Sequence, residues 1–91
     1  MYYVYIVKCS DETLYTGYTT DIKNRLDKHN KGNGAKYTRG RGPVRLVYSE
    51  EFDNKVDALK REYQIKKFDR KNKLLLIEKV WLYESLLRKY N

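Results

Sequence analysis

Residues 2–7 read Tyr-Tyr-Val-Tyr-Ile-Val, aromatic and β-branched without interruption. Such residues favour extended backbone, and a strand that is apolar on both faces has to be covered on both, which places it at the centre of a sheet. Ser10-Asp11-Glu12 is a turn signal. Thr13–Thr19 then reads as a second strand, close enough to the first to pair with it as a hairpin. Gly17 stands out inside that strand, because an interior glycine weakens pairing unless something must approach the backbone there.

The rest of the chain follows from this start. Thr20 or Asp21 can cap a helix whose inward stripe carries Ile22, Arg25, Leu26 and His29. Lys31–Pro43 is a glycine-rich loop, and Val44–Tyr48 reads as a third strand. Asp53 or Asn54 caps a second helix running to about Phe68, with Ala58, Glu62 and Ile65 on one face and Leu59 and Tyr63 beside it. Asp69 caps a third helix over about 70–90, whose leucines, Ile77, Val80 and Trp81 read as core packing. The order is β-β-α-β-α-α: an α+β domain with a small, mostly antiparallel three-stranded sheet covered by helices. With 91 residues the chain is expected to form one domain around one core, 1–91.

Charge narrows the function. Twenty Lys and Arg stand against twelve Asp and Glu, a formal net charge of +8, which favours a polyanionic partner. Between Ile22 and Ser49 lie Lys23, Arg25, Lys28, Lys31, Lys36, Arg39, Arg41 and Arg45, against the single acid Asp27. Lys66, Lys67, Arg70, Lys71 and Lys73 form a second basic cluster. Tyr37 lies among the loop cations, where it can stack on a base or sugar. One cysteine, Cys9, excludes an internal disulfide, and one cysteine with one histidine exclude the usual zinc ligand sets. A catalytic metal therefore needs oxygen ligands, which points to magnesium or manganese. The lack of disulfides fits a reducing cytosol, so a cytoplasmic location is expected. No apolar run is long enough to span a membrane.

Most of the ten tyrosines read as packing residues: Tyr2, Tyr3, Tyr18, Tyr48, Tyr63, Tyr83 and Tyr90. Tyr5 and Tyr15 differ, because the hairpin can set them side by side. Glu62 sits at the border of an apolar stripe in a cationic neighbourhood, and a partly buried carboxylate there needs a lysine, an arginine or a metal as its partner. His29 and Arg25 carry little information individually.

As an ordered set, these residues resemble the GIY-YIG endonuclease superfamily, from Tyr2 to about Ile77. Tyr3-Val4-Tyr5 aligns with the first family tripeptide and Tyr15-Thr16-Gly17 with the second. The segment Thr19–Asn30 is similar to the arginine-bearing helix. Gly34–Pro43 looks like the loop of short stand-alone bacterial members, and Ala58–Glu62 like the metal-binding glutamate motif. The chain departs from the pattern at Tyr3, Val4 and Thr16, but keeps both motif tyrosines and Gly17.

The resemblance implies one-metal hydrolysis of a phosphodiester, with a role in repair or recombination as a further expectation. Glu62 would hold the magnesium or manganese ion, weakly unless substrate is bound, and Arg25 would contact the phosphate. Tyr5 and Tyr15 would position water, and His29 would share the base role or hold the phosphate. Gly17 would keep space for the substrate, while Lys36, Tyr37, Arg39 and Arg41 would grip its backbone. The expected partner is nucleic acid, DNA before RNA, with protein contacts or a weak dimer through the C-terminal helix as a further expectation. The alternative is a non-catalytic nucleic-acid-binding domain on the same scaffold.

Overall fold

The computed structural model describes residues 1–90, the side chains of 83, 84, 89 and 90 excepted. It forms β1 (Tyr2–Lys8), β2 (Leu14–Thr19), α1 (Ile22–Asn30), β3 (Arg45–Phe52), α2 (Lys55–Lys66) and α3 (Arg70–Tyr90), with a single 3-10 turn at Lys36–Thr38 in the loop before β3. The sheet order is β2-β1-β3 and both pairings are antiparallel. The doubly apolar first strand is thus the central one, and the architecture is the expected α+β arrangement.

β1 and β2 pair so that Tyr5 faces Gly17 and Val7 faces Tyr15. Glu12 closes the hairpin turn with a positive φ of 71°. On the other edge, Val7 and Lys8 pair with Leu46 and Arg45 after a register shift at Ile6/Val7. Alternation then sorts the core onto two faces. One face buries Val4, Ile6 and Tyr48 against Ala58 and Ile65 of α2, with Leu76, Ile77 and Val80 of α3 packed on it. The other buries Tyr5, Val7, Cys9 and Val44, with Tyr15 and Leu26 of α1 against them.

Caps fix the helix starts. Asp21 accepts from the Asn24 amide at 3.0 Å, Asn54 from the Asp57 amide at 2.9 Å, and Asp69 from the Asn72 amide at 2.8 Å. Each satisfies one of the amides that a first turn leaves free. Glycine supplies the stop for α1: Gly32 has φ 78° and its amide reaches the His29 carbonyl.

Four expectations need correction. β3 runs four residues past Tyr48 because the start of β1 needs a partner as far as Phe52, and its polar Glu50 is held by Arg61 at 3.0 Å. α2 ends at Lys66 rather than near Phe68. α3 is only partly core: Trp81 is 68% exposed, and Leu74, Leu75, Leu82, Leu86 and Leu87 are exposed as well. The α3 residues packed on the core are Leu76, Ile77 and Val80. Tyr63 is likewise outside the core, 63% exposed under the Lys67 ammonium. Tyr2 and Tyr18 do pack, stacked at 6.3 Å. The side chains of Tyr83 and Tyr90 lie outside the described residues. Among the described residues no helix is long and apolar enough to cross a membrane.

These differences in burial predict unequal costs of truncation. Ile65→Ala, which empties a fully buried position, should lower unfolding free energy by about 2–5 kcal/mol. Leu82→Ala should stay within about 0.5 kcal/mol. Urea denaturation of both variants checks this, and equal costs would contradict the packing described.

Candidate active site

The β1–β2 register builds the site first. Tyr5 and Tyr15 project from the same side of the hairpin, with ring centroids 6.5 Å apart. Tyr5 lies across the backbone of Gly17. A Cβ on residue 17 would fall on the Tyr5 ring, within 2.9 Å of Cε1 and closer still to the hydroxyl end. The room that Gly17 leaves is therefore filled by Tyr5 rather than kept for substrate.

Helix α1 supplies the next layer. Arg25 and His29, one turn apart, both reach the Tyr5 hydroxyl. Arg25 Nε donates to it at 3.2 Å, and His29 Nε2 lies 2.8 Å from it. On the far side of the imidazole, Nδ1 is 2.8 Å from Thr38 Oγ1, which donates its own proton to the Ala35 carbonyl at 2.9 Å. A hydroxyl has one proton to give. Since Thr38 donates to Ala35, it must accept from His29 Nδ1–H. A neutral imidazole protonated at Nδ1 has a bare Nε2, which accepts from Tyr5. The bonds thus run in one direction: Arg25 to Tyr5, Tyr5 to His29, His29 to Thr38, Thr38 to Ala35.

Electrostatics agree with that assignment. Tyr5 and His29 are each 1% exposed. Burial, reinforced by the Arg25 charge, holds the His29 pKa below its ordinary value, so the ring is neutral near pH 7. Burial also raises the Tyr5 pKa, against the pull of the Arg25 guanidinium. Arg25 is in turn held more firmly in its charged form, chiefly by its bond to Tyr5. Tyr48 is pushed up further, to about 12, by burial and by Glu50, but it sits in the opposite core with Arg61 and belongs to the packing.

Glu62 approaches from α2. Its side chain is 18% exposed and its Oε2 lies 3.6 Å from Lys66 Nζ. It is near enough to Tyr5 to disfavour the phenolate. Among the described residues no group of three or more histidine, cysteine or carboxylate side chains could hold a metal ion. The residues fit a divalent ion only as a single-carboxylate site, with water and substrate oxygens completing the shell, which is a usual arrangement for magnesium.

The loop residues divide into two groups. Lys36 and Arg39 are exposed, and neither has an ion pair among the described residues. Tyr37 and Arg41 are built into the wall instead: Tyr37 stacks on Tyr15 at 5.8 Å, Arg41 stands 4.5 Å above the Tyr37 ring, and Asp11 holds Arg41 at 2.6 Å. Tyr37 is thus held in place by its neighbours and remains 42% exposed. Sequence reasoning missed Thr38 and Gly34. Thr38 is 1% exposed and orients His29. A side chain on residue 34 would collide with the His29 ring and its Cα. The signal for both was a hydroxyl and a glycine in the loop following a buried histidine, legible only once the loop is known to fold back on α1.

The antiparallel sheet and this cluster of two tyrosines, an arginine, a histidine and a glutamate define a GIY-YIG catalytic domain, and the family model described as "GIY-YIG catalytic domain" matches residues 1–75. The chain belongs to that family, one of nuclease-like domains. It is 63% identical over 76 residues to the UPF0213 protein SSP2268 of Staphylococcus saprophyticus, covering 84% of this chain and 93% of that one. It is 62% identical over 77 residues to the UPF0213 protein CPE1444 of Clostridium perfringens, covering 85% and 83%. Among solved structures it is similar to the solution structure of the UPF0213 protein BH0048 of Bacillus halodurans, with 51% identity, TM-score 0.57 and coverage of 86% and 84%. The solution structure of protein EF2693 from E. faecalis matches at 40% identity and TM-score 0.61, covering 89% and 86%.

The directed chain of hydrogen bonds makes a spectroscopic prediction. Nitrogen-15 NMR of the imidazole should show His29 protonated at Nδ1 and bare at Nε2 at pH 7; the opposite tautomer would contradict the assignment. Thr38→Val should leave the buried Nδ1–H unsatisfied and cost about 1–3 kcal/mol in thermal or urea unfolding.

Proposed function

We propose that the chain is a metal-dependent endonuclease that hydrolyses phosphodiester bonds in nucleic acid, DNA in preference to RNA. The observation that carries this reading is the destination of the Tyr5 proton. Tyr5 and Tyr15 both border the cluster, but Tyr5 has a neutral, oriented acceptor in His29 Nε2.

The steps follow from the bonds already described. In the free protein the Tyr5 oxygen is occupied by Arg25. A phosphate entering the site competes for the guanidinium, which is a stronger partner for an anion than for a phenol. As Arg25 turns to the phosphate, the Tyr5 oxygen becomes available to an attacking water. The water gives a proton to Tyr5 while Tyr5 passes its own proton to His29 Nε2. Tyr5 thus acts as base without a lasting phenolate, which its raised pKa would disfavour. The resulting imidazolium is stabilised by its bond to Thr38. Tyr15 positions the water, Arg25 stabilises charge developing on the phosphate, and Lys36 and Arg39 hold the flanking backbone. Glu62 is the residue that would hold a magnesium or manganese ion. When bound, that ion would polarise the phosphate and neutralise the leaving oxygen.

Plasmid nicking tests the reading. Purified protein should cut with magnesium or manganese and not with chelator. Tyr5→Phe and His29→Ala should each slow cutting by about 10²–10⁴-fold, the usual range for removing acid–base assistance, and Glu62→Ala should abolish it. Cutting that survives Glu62→Ala or the chelator would refute the mechanism.

A further inference from the structure

Near the start of α3 the described surface holds a hollow of about 290 Å³, lined by Thr13, Leu14, Tyr37, Phe68, Arg70 and Lys73. Two of its lining residues are cations and none is an acid. Lys73 is half-buried and has no ion pair among the described residues. Burial and the neighbouring Lys66 both depress its pKa, so its surroundings leave the ammonium under-solvated and repelled. Arg70 gives one donor to the Glu12 carbonyl at 2.8 Å and has others left for a ligand. A cavity in this condition gains from an anion.

Its position says which anion. Tyr37 lines the hollow and also stacks on Tyr15. Lys66 pairs with Glu62 and acts on Lys73. The hollow is therefore connected to the candidate active site from two sides, through the tyrosine stack and through the lysine pair.

We propose that this hollow is a phosphate subsite for the strand being cut, with Arg70 and Lys73 gripping a phosphodiester beyond the scissile one. The subsite rests on the nuclease reading for its ligand, but not on catalysis. A strand seated there lies beside the Tyr15–Tyr37 stack, so that Arg70 and Lys73 add a second hold on its backbone to that of Lys36 and Arg39. That double hold compensates for a metal site with a single carboxylate, because it fixes the phosphate before the ion completes its shell.

Fluorescence anisotropy with a labelled 20-nucleotide DNA duplex, in chelator and over a series of salt concentrations, tests this with no cutting in progress. Lys73→Met and Arg70→Gln should each weaken binding by about tenfold at low salt and reduce the slope of log affinity against log salt by about 1, as expected for the loss of one phosphate contact. Lys79→Met, an exposed lysine on the same helix, should change neither by more than about twofold. Circular dichroism guards against unfolded variants. Unchanged affinity and slope in both folded variants would overturn the subsite, as would weaker binding with an unchanged slope, which marks a shape effect rather than a lost contact. A wild-type chain that cuts plasmid while its binding ignores both residues sinks the subsite alone. One that binds no nucleic acid sinks the nuclease reading as well.

Discussion

The Tyr5 phenol lies flat over Gly17 and holds its hydroxyl between Arg25 and His29, and most of the molecule serves to keep it there. The hairpin register puts a residue without a side chain opposite Tyr5. The helical repeat puts Arg25 and His29 one turn apart, so that both reach the same oxygen. The loop after α1 returns to place Gly34 against the imidazole and Thr38 on its Nδ1. Three separate segments thus fix one proton donor and one acceptor in a nearly water-free environment. A buried polar network of this kind is stable only when each member is satisfied, and here the Ala35 carbonyl closes the chain.

The charge pattern extends the same logic outward. Half-buried at the site, Arg25 carries a positive charge that helps keep His29 neutral. Farther out, Lys66 partners Glu62 and presses on Lys73, while Asp11 pins Arg41 over the Tyr37 ring. The acids among these residues organise the cations; they do not cancel them. On the proposed reading, Lys36, Arg39, Arg70 and Lys73 are the cations around the site that take the anionic ligand. A larger hollow, about 620 Å³ between β3 and α3, has a different character: Leu46, Val47, Leu74, Ile77, Val80 and Trp81 make much of it apolar, and it includes none of the clustered site residues. The family match ends at residue 75, ahead of Trp81, Leu82, Leu86 and Leu87.

Legibility in the sequence followed the range of the interaction. Strand type, helix caps and the hairpin depend on neighbours: Asp69 announced its helix directly, and the structure chooses Asp21 over Thr20 and Asn54 over Asp53. The central place of β1 was also readable, because a doubly apolar segment has few other options. Tyr5, Tyr15, Arg25, His29 and Glu62 could be proposed from spacing and family resemblance, with Tyr5 beside Tyr15 and Arg25 and His29 on one helix face, yet the meeting of Arg25 and His29 at the Tyr5 hydroxyl could not. The immediate partners of Gly17, Tyr37 and Arg41 were not legible, because each is a side chain distant in sequence: Tyr5 over the glycine, Tyr15 against Tyr37, Asp11 beside Arg41. The packing of α3 was overestimated for a related reason. Apolar residues signal a need for burial, but of the described α3 residues only Leu76, Ile77 and Val80 pack on the core, and which side of a long helix meets the sheet is set by tertiary contacts.

The central claim is that neutral His29 receives the proton that attack releases. The pH dependence of kcat/KM for cutting a fixed DNA substrate, measured from pH 5 to pH 10 with saturating metal, tests it most directly. Because the His29 pKa is held below its ordinary value, about 6.5 in unfolded peptides, the account predicts a rate that rises with a single ionisation on the acid side and is level from about pH 7. A rate that keeps climbing about tenfold per pH unit through pH 9 would show that a free tyrosinate or hydroxide does the work, and would contradict the role assigned to His29.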